Sequence, residues 1–267
     1  MRTIQKDNVD TYGRRFVPLM IQLAEIVKSD YSDEEQTDIN DMIMLLTGWQ
    51  GNMDADSVAA SVYMFHSMFL ARSMLGVWPT SVKNRCKMFE GQYRAFPFEM
   101  LGRAITQALE GDYSYNVFCQ QPGKEYKQEN ICAYNIADAM IETKKYLSEE
   151  VSPDSNQWKW GEHVVMKFRH TPWSHVKQLD PYFSRWIVVP GNGNTVQVAE
   201  SGICEPQLQN PPRFRTGKVS AYNHICSFEE EFRAEKNVFG VPGGLNEFPL
   251  MGNYDDMIEH HIFGDLW

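Results

Sequence analysis

The chain has 267 residues, 43% of them hydrophobic and 22% charged, a composition typical of a folded globular protein and not of a disordered one. Its net charge of -10, with Lys and Arg scattered along the chain, argues against nucleic acid or an acidic membrane surface as a partner. The first residues lack the apolar segment of an export signal, and the compartment stays undetermined. The 5 cysteines include no C-x-x-C pair, so we expect neither a zinc site nor a complete disulfide framework.

Helical spacing dominates the first part of the chain. Apolar residues recur at intervals of three and four in the segments 37–49, 57–75, 94–111 and 134–150. Asp56 fits an N-cap for the second segment, and Gly111 fits the end of the third. The second segment is interrupted by polar residues, which indicates a buried helix and not a membrane span. We therefore predict four helices in this part.

Short strand-like runs follow from about residue 156, separated by Pro, Gly and Asn. They cover 164–168, 185–189, 195–199, 223–228 and 237–241, and a last helical segment spans 253–263. The order predicts an α+β fold, with a helical region at 1–150 and a β-rich region with a C-terminal helix at 151–267, forming one incomplete domain. A sheet needs a second layer, so either the upstream helices or a further part of the protein must cover it.

The loop at 190–198, PGNGNTVQV, contains a Gly-x-Gly pair. Val196 occupies the place of the third glycine of a dinucleotide-binding loop, and a strand pattern follows in place of a helix, so a phosphate site is excluded. The pattern predicts two strands joined by a turn, with Asn192 and Asn194 as exposed turn residues. In the alternative interpretation, these two side chains orient groups near an active site.

Histidines and carboxylates give no complete site. Asp256 and His260 share a helix face, but no third ligand has matching spacing, so we predict a solvated face and no metal site. His163 and His170 fall on opposite faces if one strand contains both, and each is expected to be a core or hydrogen-bonded residue. His170 is the better functional candidate because the strand ends there. No G-x-S-x-G elbow is present.

Four stretches in order share motifs with a known family. They are a Trp-x-Gly turn before a Ser/Ala-rich helix at 45–63, a W-x-W-G-x-x-H strand and turn at 158–175, the Gly-x-Gly loop before Thr-Val, and a P-G-G loop before Tyr-Asp-Asp at 241–259. Their residues are Trp49, Gly51, Asp54, Ser57, Ala59, Ala60, Trp158, Trp160, Gly161, His163, Phe168, His170, His175, Pro242, Gly243, Gly244, Pro249, Tyr254, Asp255 and Asp256. Together they resemble the penicillin acylase family of N-terminal-nucleophile (Ntn) amidohydrolases.

The resemblance implies a fold and a reaction. It implies an αββα sandwich, cut by autoproteolysis into two chains, that hydrolyses linear amides such as the acyl side chain of a β-lactam or a small N-acyl signal molecule. A serine at the new N-terminus attacks, its own α-amino group serves as base, and an Asn side chain with backbone N–H groups holds the oxyanion. No cofactor is implied, and a structural calcium known in the family has no identifiable ligands here.

This chain resembles only the C-terminal part of the second chain of that family. The nucleophile normally follows a Gly, and here no Gly precedes Ser, Thr or Cys. Ser155 imitates the Ser-Asn-x-Trp start, but Asp154 precedes it, so we assign no catalytic residue. Pocket or supporting roles are expected for Trp160, His170, Asn192, Asn194 and Thr195. A missing or separately encoded chain is expected to supply the nucleophile, and the chain alone is expected to be inactive.

The sequence also departs from the family pattern. Ala221 and Asn223 replace the Ser and Arg of a Ser-Tyr-Arg strand, and Leu245 begins the replacement of a Gln-Ser-Gly loop. These losses favour an alternative, a non-catalytic binding or scaffold protein derived from the same fold.

Overall fold

The computed structural model describes residues 6–74, 106–107, 110–111, 119, 126–170, 173–201, 214–219, 223–225, 238–240, 251, 254–255 and 258. The longer helices are α1 (Thr11–Val27), α2 (Asp33–Leu46), α3 (Val58–Met74) and α4 (Ile131–Glu150), followed by the one-turn helices α5 (Trp160–His163) and α6 (Asp180–Phe183). The strands are β1 (Val164–Phe168), β2 (Arg185–Val188), β3 (Ala199–Ser201), β4 (Phe214–Val219), β5 (Asn223–Ile225) and β6 (Val238–Gly240). This order confirms an α+β fold.

Three of the four predicted helices are confirmed, as α2, α3 and α4. The segment 94–111 lies almost entirely outside the described residues, although Gly111 has the positive φ of 80° expected just after a helix. The N-cap prediction for α3 was wrong: Ser57, and not Asp56, precedes the helix, and its hydroxyl accepts the N–H of Ala60 at 3.1 Å. The predicted helix at 253–263 also lies largely outside the described residues.

Helix α1 was not predicted. Its buried residues Phe16, Val17, Met20, Leu23, Ala24 and Val27 do follow helical spacing. Asp10 caps the helix by accepting the N–H of Gly13 at 2.8 Å. Pro18 lies inside the helix, where it removes one backbone hydrogen bond, and an internal Pro is a sequence signal against a helix. Burial of the apolar face outweighs this local cost.

The largest core cluster lies among the four long helices and continues into the sheet. Helix α3 is buried at every position from 61 to 70 and packs against α4. Two sheet residues, Val164 and Phe214, belong to the same cluster, and the ring of Phe214 lies 4.8 Å from that of Phe65. The helices therefore cover part of the sheet, which was one of the two arrangements expected from the sequence. A second cluster joins Val189, Ala199 and Ile258.

The sheet contains a strand that the sequence pattern did not reveal. Its order is β2-β1-β4-β3, with β1 antiparallel to β2 and parallel to β4, while β3 and β4 are antiparallel. The predicted strand at 164–168 is confirmed in full, and that at 185–189 is confirmed to Val188. The predicted strands at 223–228 and 237–241 are confirmed over their described residues, 223–225 and 238–240. The strand at 195–199 was wrong, because regular pairing begins only at Ala199. Strands β2 and β3 lie at opposite edges, so the loop between them does not close a hairpin as predicted.

One disulfide joins Cys119 to Cys132 at the start of α4. Both cysteines are buried, and they form a small cluster with Ile131. Sequence spacing gave no signal for this pair. Among the described helices, none combines the length and the apolar character needed to cross a bilayer.

His66 is buried between α3 and α4. Its Nε2 lies 3.1 Å from the carbonyl oxygen of Ile136, and burial lowers the pKa of its imidazole to about 4. The folded protein therefore holds His66 neutral at a pH where an unfolded chain would protonate it.

We expect this histidine to make stability depend on pH. Between about pH 6.5 and pH 4 the unfolded chain binds the extra proton, so the free energy of unfolding should fall with falling pH, by up to roughly 3 kcal/mol across the window. Urea unfolding from pH 7 to pH 4 measures the slope. His66→Gln, which does not titrate, should flatten it, whereas His175→Gln, at an exposed histidine, should not. Equal slopes in all three proteins would contradict the assignment.

Candidate functional site

The 190–198 loop connects the helical part to the sheet. The N–H of Gly191 donates to the carbonyl oxygen of Met53 at 3.0 Å, and the N–H of Gln197 donates to that of Asp7 at 2.8 Å. The indole N–H of Trp160 donates to the carbonyl oxygen of Gly191 at 3.1 Å. The loop is therefore fixed at both ends to segments that flank α1 and α3.

Asn192 lies inside this loop and is buried. Its side-chain amide donates to the Asp10 carboxylate at 2.5 Å and lies 3.6 Å from the sulfur of Met64. Its side-chain oxygen accepts the N–H of Asn194 at 2.8 Å. Asn194 is partly buried, and its amide lies 3.4 Å from the same carboxylate. The expectation that both are exposed turn residues was wrong, because each turns inward toward a buried charge.

Several hydrogen-bond donors surround the Asp10 carboxylate. One oxygen accepts the N–H of Gly13 in the first turn of α1, and the other faces Asn192 and Asn194. A helix N-terminus carries partial positive charge, which stabilises a carboxylate placed there. Burial first, and then the charge of Asp10, raise the pKa of Tyr63 well above its usual value, so this phenol stays protonated beside the carboxylate.

Thr195 and Trp160 hold the shape of the loop. The Thr195 hydroxyl accepts the N–H of Asn192 at 3.1 Å and lies within hydrogen-bonding distance of two carbonyl oxygens. Trp160 is fully buried, and its ring centroid is 5.6 Å from that of Phe214. The N–H of Gly161 donates to the carbonyl oxygen of Ala55 at 2.7 Å. We call Asp10, Trp160, Asn192, Asn194 and Thr195 the junction cluster.

The two histidines of the strand motif lie in different surroundings. His163 ends α5 and is buried against the edge of Phe65, so the expectation based on one continuous strand does not apply. His170 follows β1, with its ring 5.4 Å from Phe183 and 6.1 Å from Tyr254. None of the described ring contacts or hydrogen bonds of His170 reaches the junction cluster.

Ser155 begins a single 3-10 turn, Ser155–Gln157. The carboxylate of Asp154 accepts the N–H of Asn156 at 3.0 Å and its side-chain amide at 2.9 Å. Within the described part of the chain, no hydrogen bond joins the Ser155 hydroxyl to a histidine or a carboxylate. A serine without such a base is a weak nucleophile.

No metal site appears among the residues that the structure describes, where no three His, Cys, Asp or Glu side chains converge. Asp256 and His260 lie outside those residues. Asp255 forms an ion pair with Arg185, and the Tyr254 hydroxyl donates to the carbonyl oxygen of Phe183 at 2.6 Å. Tyr254 and Asp255 of the Tyr-Asp-Asp motif thus contact Phe183 and the first residue of β2.

The sequence motifs and the fold together define an α+β protein whose helices and sheet meet at one buried polar junction. The family model for penicillin amidase matches residues 1–267. The chain therefore belongs to the penicillin amidase family. A comparison with curated proteins gives no match.

Sequence reasoning missed two members of this arrangement, Asp10 and Tyr63. Asp10 precedes an apolar helical pattern, so an N-cap signal was present in the sequence. Tyr63 carried no such signal, because its position beside Asp10 depends on how α1 packs on α3.

We expect Asn192→Ala to destabilise the protein by about 2–4 kcal/mol, because it removes a side-chain donor that lies 2.5 Å from a buried carboxylate. Asn194→Ala is the matched control, and its longer, partly buried contact should cost less than about 1 kcal/mol. Chemical unfolding of both variants measures the difference. Equal losses would show that the Asp10 carboxylate does not depend on Asn192.

Gly191 has a φ of 100°, and a Cβ there would lie 2.4 Å from the carbonyl oxygen of Gln197. Gly48 has a φ of 78° with nothing within 4 Å of such a Cβ. Both Ala substitutions place a side chain at a positive φ, which lowers the free energy of unfolding by about 1–2 kcal/mol. Gly191→Ala should lose roughly 2 kcal/mol more, because its Cβ clashes with the carbonyl oxygen. Thermal unfolding compares them, and equal melting temperatures would contradict the loop geometry.

Proposed function

We propose that this chain acts in the hydrolysis of linear amide (N-acyl) bonds, as the part of a penicillin-acylase-like enzyme that builds the scaffold and does not carry the nucleophile. Its substrate class is a small acyl amide. The observation that carries the proposal is the contact between two family-like motifs, in which the Trp160 indole of W-x-W-G-x-x-H donates to Gly191 of the Gly-x-Gly loop. The family match over residues 1–267 supports it.

The αββα sandwich is part of the same proposal. The described elements supply a helical layer packed on a four-stranded mixed sheet through Val164 and Phe214, while β5 and β6 pair as a separate two-stranded sheet. We infer that the remaining strands and a second helical layer come from another segment or chain, which also brings the serine, its α-amino group and the oxyanion Asn. This assignment is compatible with two packed layers as the smallest unit that makes a core.

The proposed role of the junction cluster is positioning. It holds the start of α1, the turn before α3 and the loop before β3 in one rigid arrangement through buried hydrogen bonds. Catalysis of acyl transfer needs donors and a base fixed to within a fraction of an ångström, and buried hydrogen-bonded supports supply such rigidity. A nucleophile-bearing partner would dock on this preformed unit.

The alternative is a non-catalytic binding or scaffold protein. It is favoured by the surroundings of Ser155, which lies in a 3-10 turn with no hydrogen-bonded base among the described residues. Ala221 and Leu245, where the family pattern has polar residues, point the same way.

We expect the purified chain alone to show no turnover of chromogenic phenylacetyl or long-chain acyl amides above that of the Ser155→Ala variant. Losing one oxyanion donor costs about 10² to 10³ in rate, and the proposal assigns the nucleophile and base to another segment or chain as well. Amide turnover that Ser155→Ala abolishes would overturn the assignment of no catalytic residue to this chain.

Purification from the native source separates the two functions. Activity that copurifies with a stoichiometric nucleophile-bearing chain, or with a longer form of this polypeptide, supports the amidohydrolase. An inactive 30.9 kDa monomer as the sole native form would support the binding protein.

A further inference from the structure

Strand β2 forms one edge of the four-stranded sheet. In the part of the chain that the structure describes, only β1 pairs with it, in the register Lys167 with Trp186 and Phe168 with Arg185. An edge strand presents backbone N–H and C=O groups that another extended chain can pair with. Proteins often blunt such edges with Lys or Pro, but the single charged residue of β2, Arg185, is held in its ion pair with Asp255.

Exposed aromatic side chains lie on β2 and on the segment before it. Trp186 is 52% exposed, Tyr182 is 67% exposed and Trp173 is 44% exposed. Trp173 packs 5.8 Å from the ring of Phe183, so the surface is ordered by ring contacts beneath it. Trp and Tyr are enriched at protein interfaces and dominate their binding energy. A cluster of exposed aromatics therefore marks an interaction surface.

The charge here is opposite to that of the whole protein. Residues 164–188 contain four Lys or Arg and one acidic residue, Asp180, and Asp255 adds a second carboxylate through its ion pair with Arg185. The described groups here therefore keep a positive charge in a chain whose net charge is -10. Lys167 lies 5.3 Å from the ring centroid of Trp186 and pairs with Asp180. Arg169 and Lys177 are exposed nearby. A positive surface on an acidic protein attracts an acidic partner and suppresses association with basic ones.

We propose that this edge binds an extended acidic polypeptide segment, which adds as a further strand beside β2. Backbone hydrogen bonds to β2 give the affinity, and acidic side chains that face Arg169 and Lys177 give the selectivity. Trp173, Tyr182 and Trp186 supply the apolar contacts. We call Arg169, Trp173, Lys177, Tyr182 and Trp186 the β2 surface. The proposal stands apart from the proposed amidase function, since it rests on edge geometry, exposure and charge alone.

The test uses short synthetic peptides and the whole chain. The probe alternates glutamate with valine, a pattern that favours a strand with one charged and one apolar face. One control peptide replaces each glutamate with lysine, and a second keeps the glutamates but carries N-methyl groups on alternate amides, which removes one hydrogen-bonding edge. Tryptophan fluorescence and amide chemical shifts measure binding.

We expect the acidic peptide to bind, and both control peptides to bind about tenfold more weakly or not at all. Trp186→Glu and Arg169→Glu should each weaken the acidic peptide about tenfold. Met44→Glu, at a methionine of α2 that is 74% exposed, is the matched control and should bind like the parent. Circular dichroism and thermal unfolding confirm that the variants are folded, and Arg169→Glu keeps the test intact should Trp186→Glu fail to fold.

Three results would overturn the proposal. The first is no binding of the acidic peptide by the parent protein, and the second is undiminished binding of the N-methylated peptide, which shows attraction by charge without strand addition. The third is a concentration-dependent dimer that Trp186→Glu abolishes and the acidic peptide does not displace, which assigns the β2 surface to a second copy of this chain.

Discussion

The buried carboxylate of Asp10 is the constraint on which the arrangement of this protein depends. A charge removed from water must be compensated, and here the first turn of α1 and the side chain of Asn192 compensate it together. One donor, Gly13, lies three residues after Asp10, and the other, Asn192, lies 182 residues after it. The hydrogen bonds to this one carboxylate therefore fix where the β-rich part lies on the helices.

The other contacts of the 190–198 loop also join the helices to the sheet. Trp160 and Met53 bind the two backbone groups of Gly191, so the turn before α3, the start of α5 and the loop meet at one point. The aromatic contact between Phe65 and Phe214 continues this junction as apolar packing. A polar junction that continues into a hydrophobic core gives the helices and the sheet a single relative orientation, whereas apolar burial alone tolerates many.

This rigidity fits the positioning role that we propose for the chain in the penicillin amidase family. The Trp-x-Gly turn, the W-x-W-G turn and the Gly-x-Gly loop lie at the junction or at its supports. Ser155, which imitates the family nucleophile, lies in a 3-10 turn whose neighbours Asp154 and Asn156 are hydrogen-bonded to each other. The β2 surface belongs to a separate group of side chains, near α6 and Tyr254. The proposed positioning role and the proposed partner binding thus use different residues, so variants can separate the two.

Local pattern determined much of this protein. Helical spacing placed α2, α3 and α4, and short strand-like runs bounded by Pro, Gly and Asn placed β1 and β2, because each of these signals depends on side chains within a few residues of one another. Tertiary structure decided the rest. Pro18 argued locally against α1, which persists because its apolar face is buried. Asn192 has the local chemistry of a turn residue, and only the approach of Asp10 from the other end of the chain turns it inward. Strand β4 separates β1 from β3 because pairing between strands is a contact between distant segments, which no local period encodes.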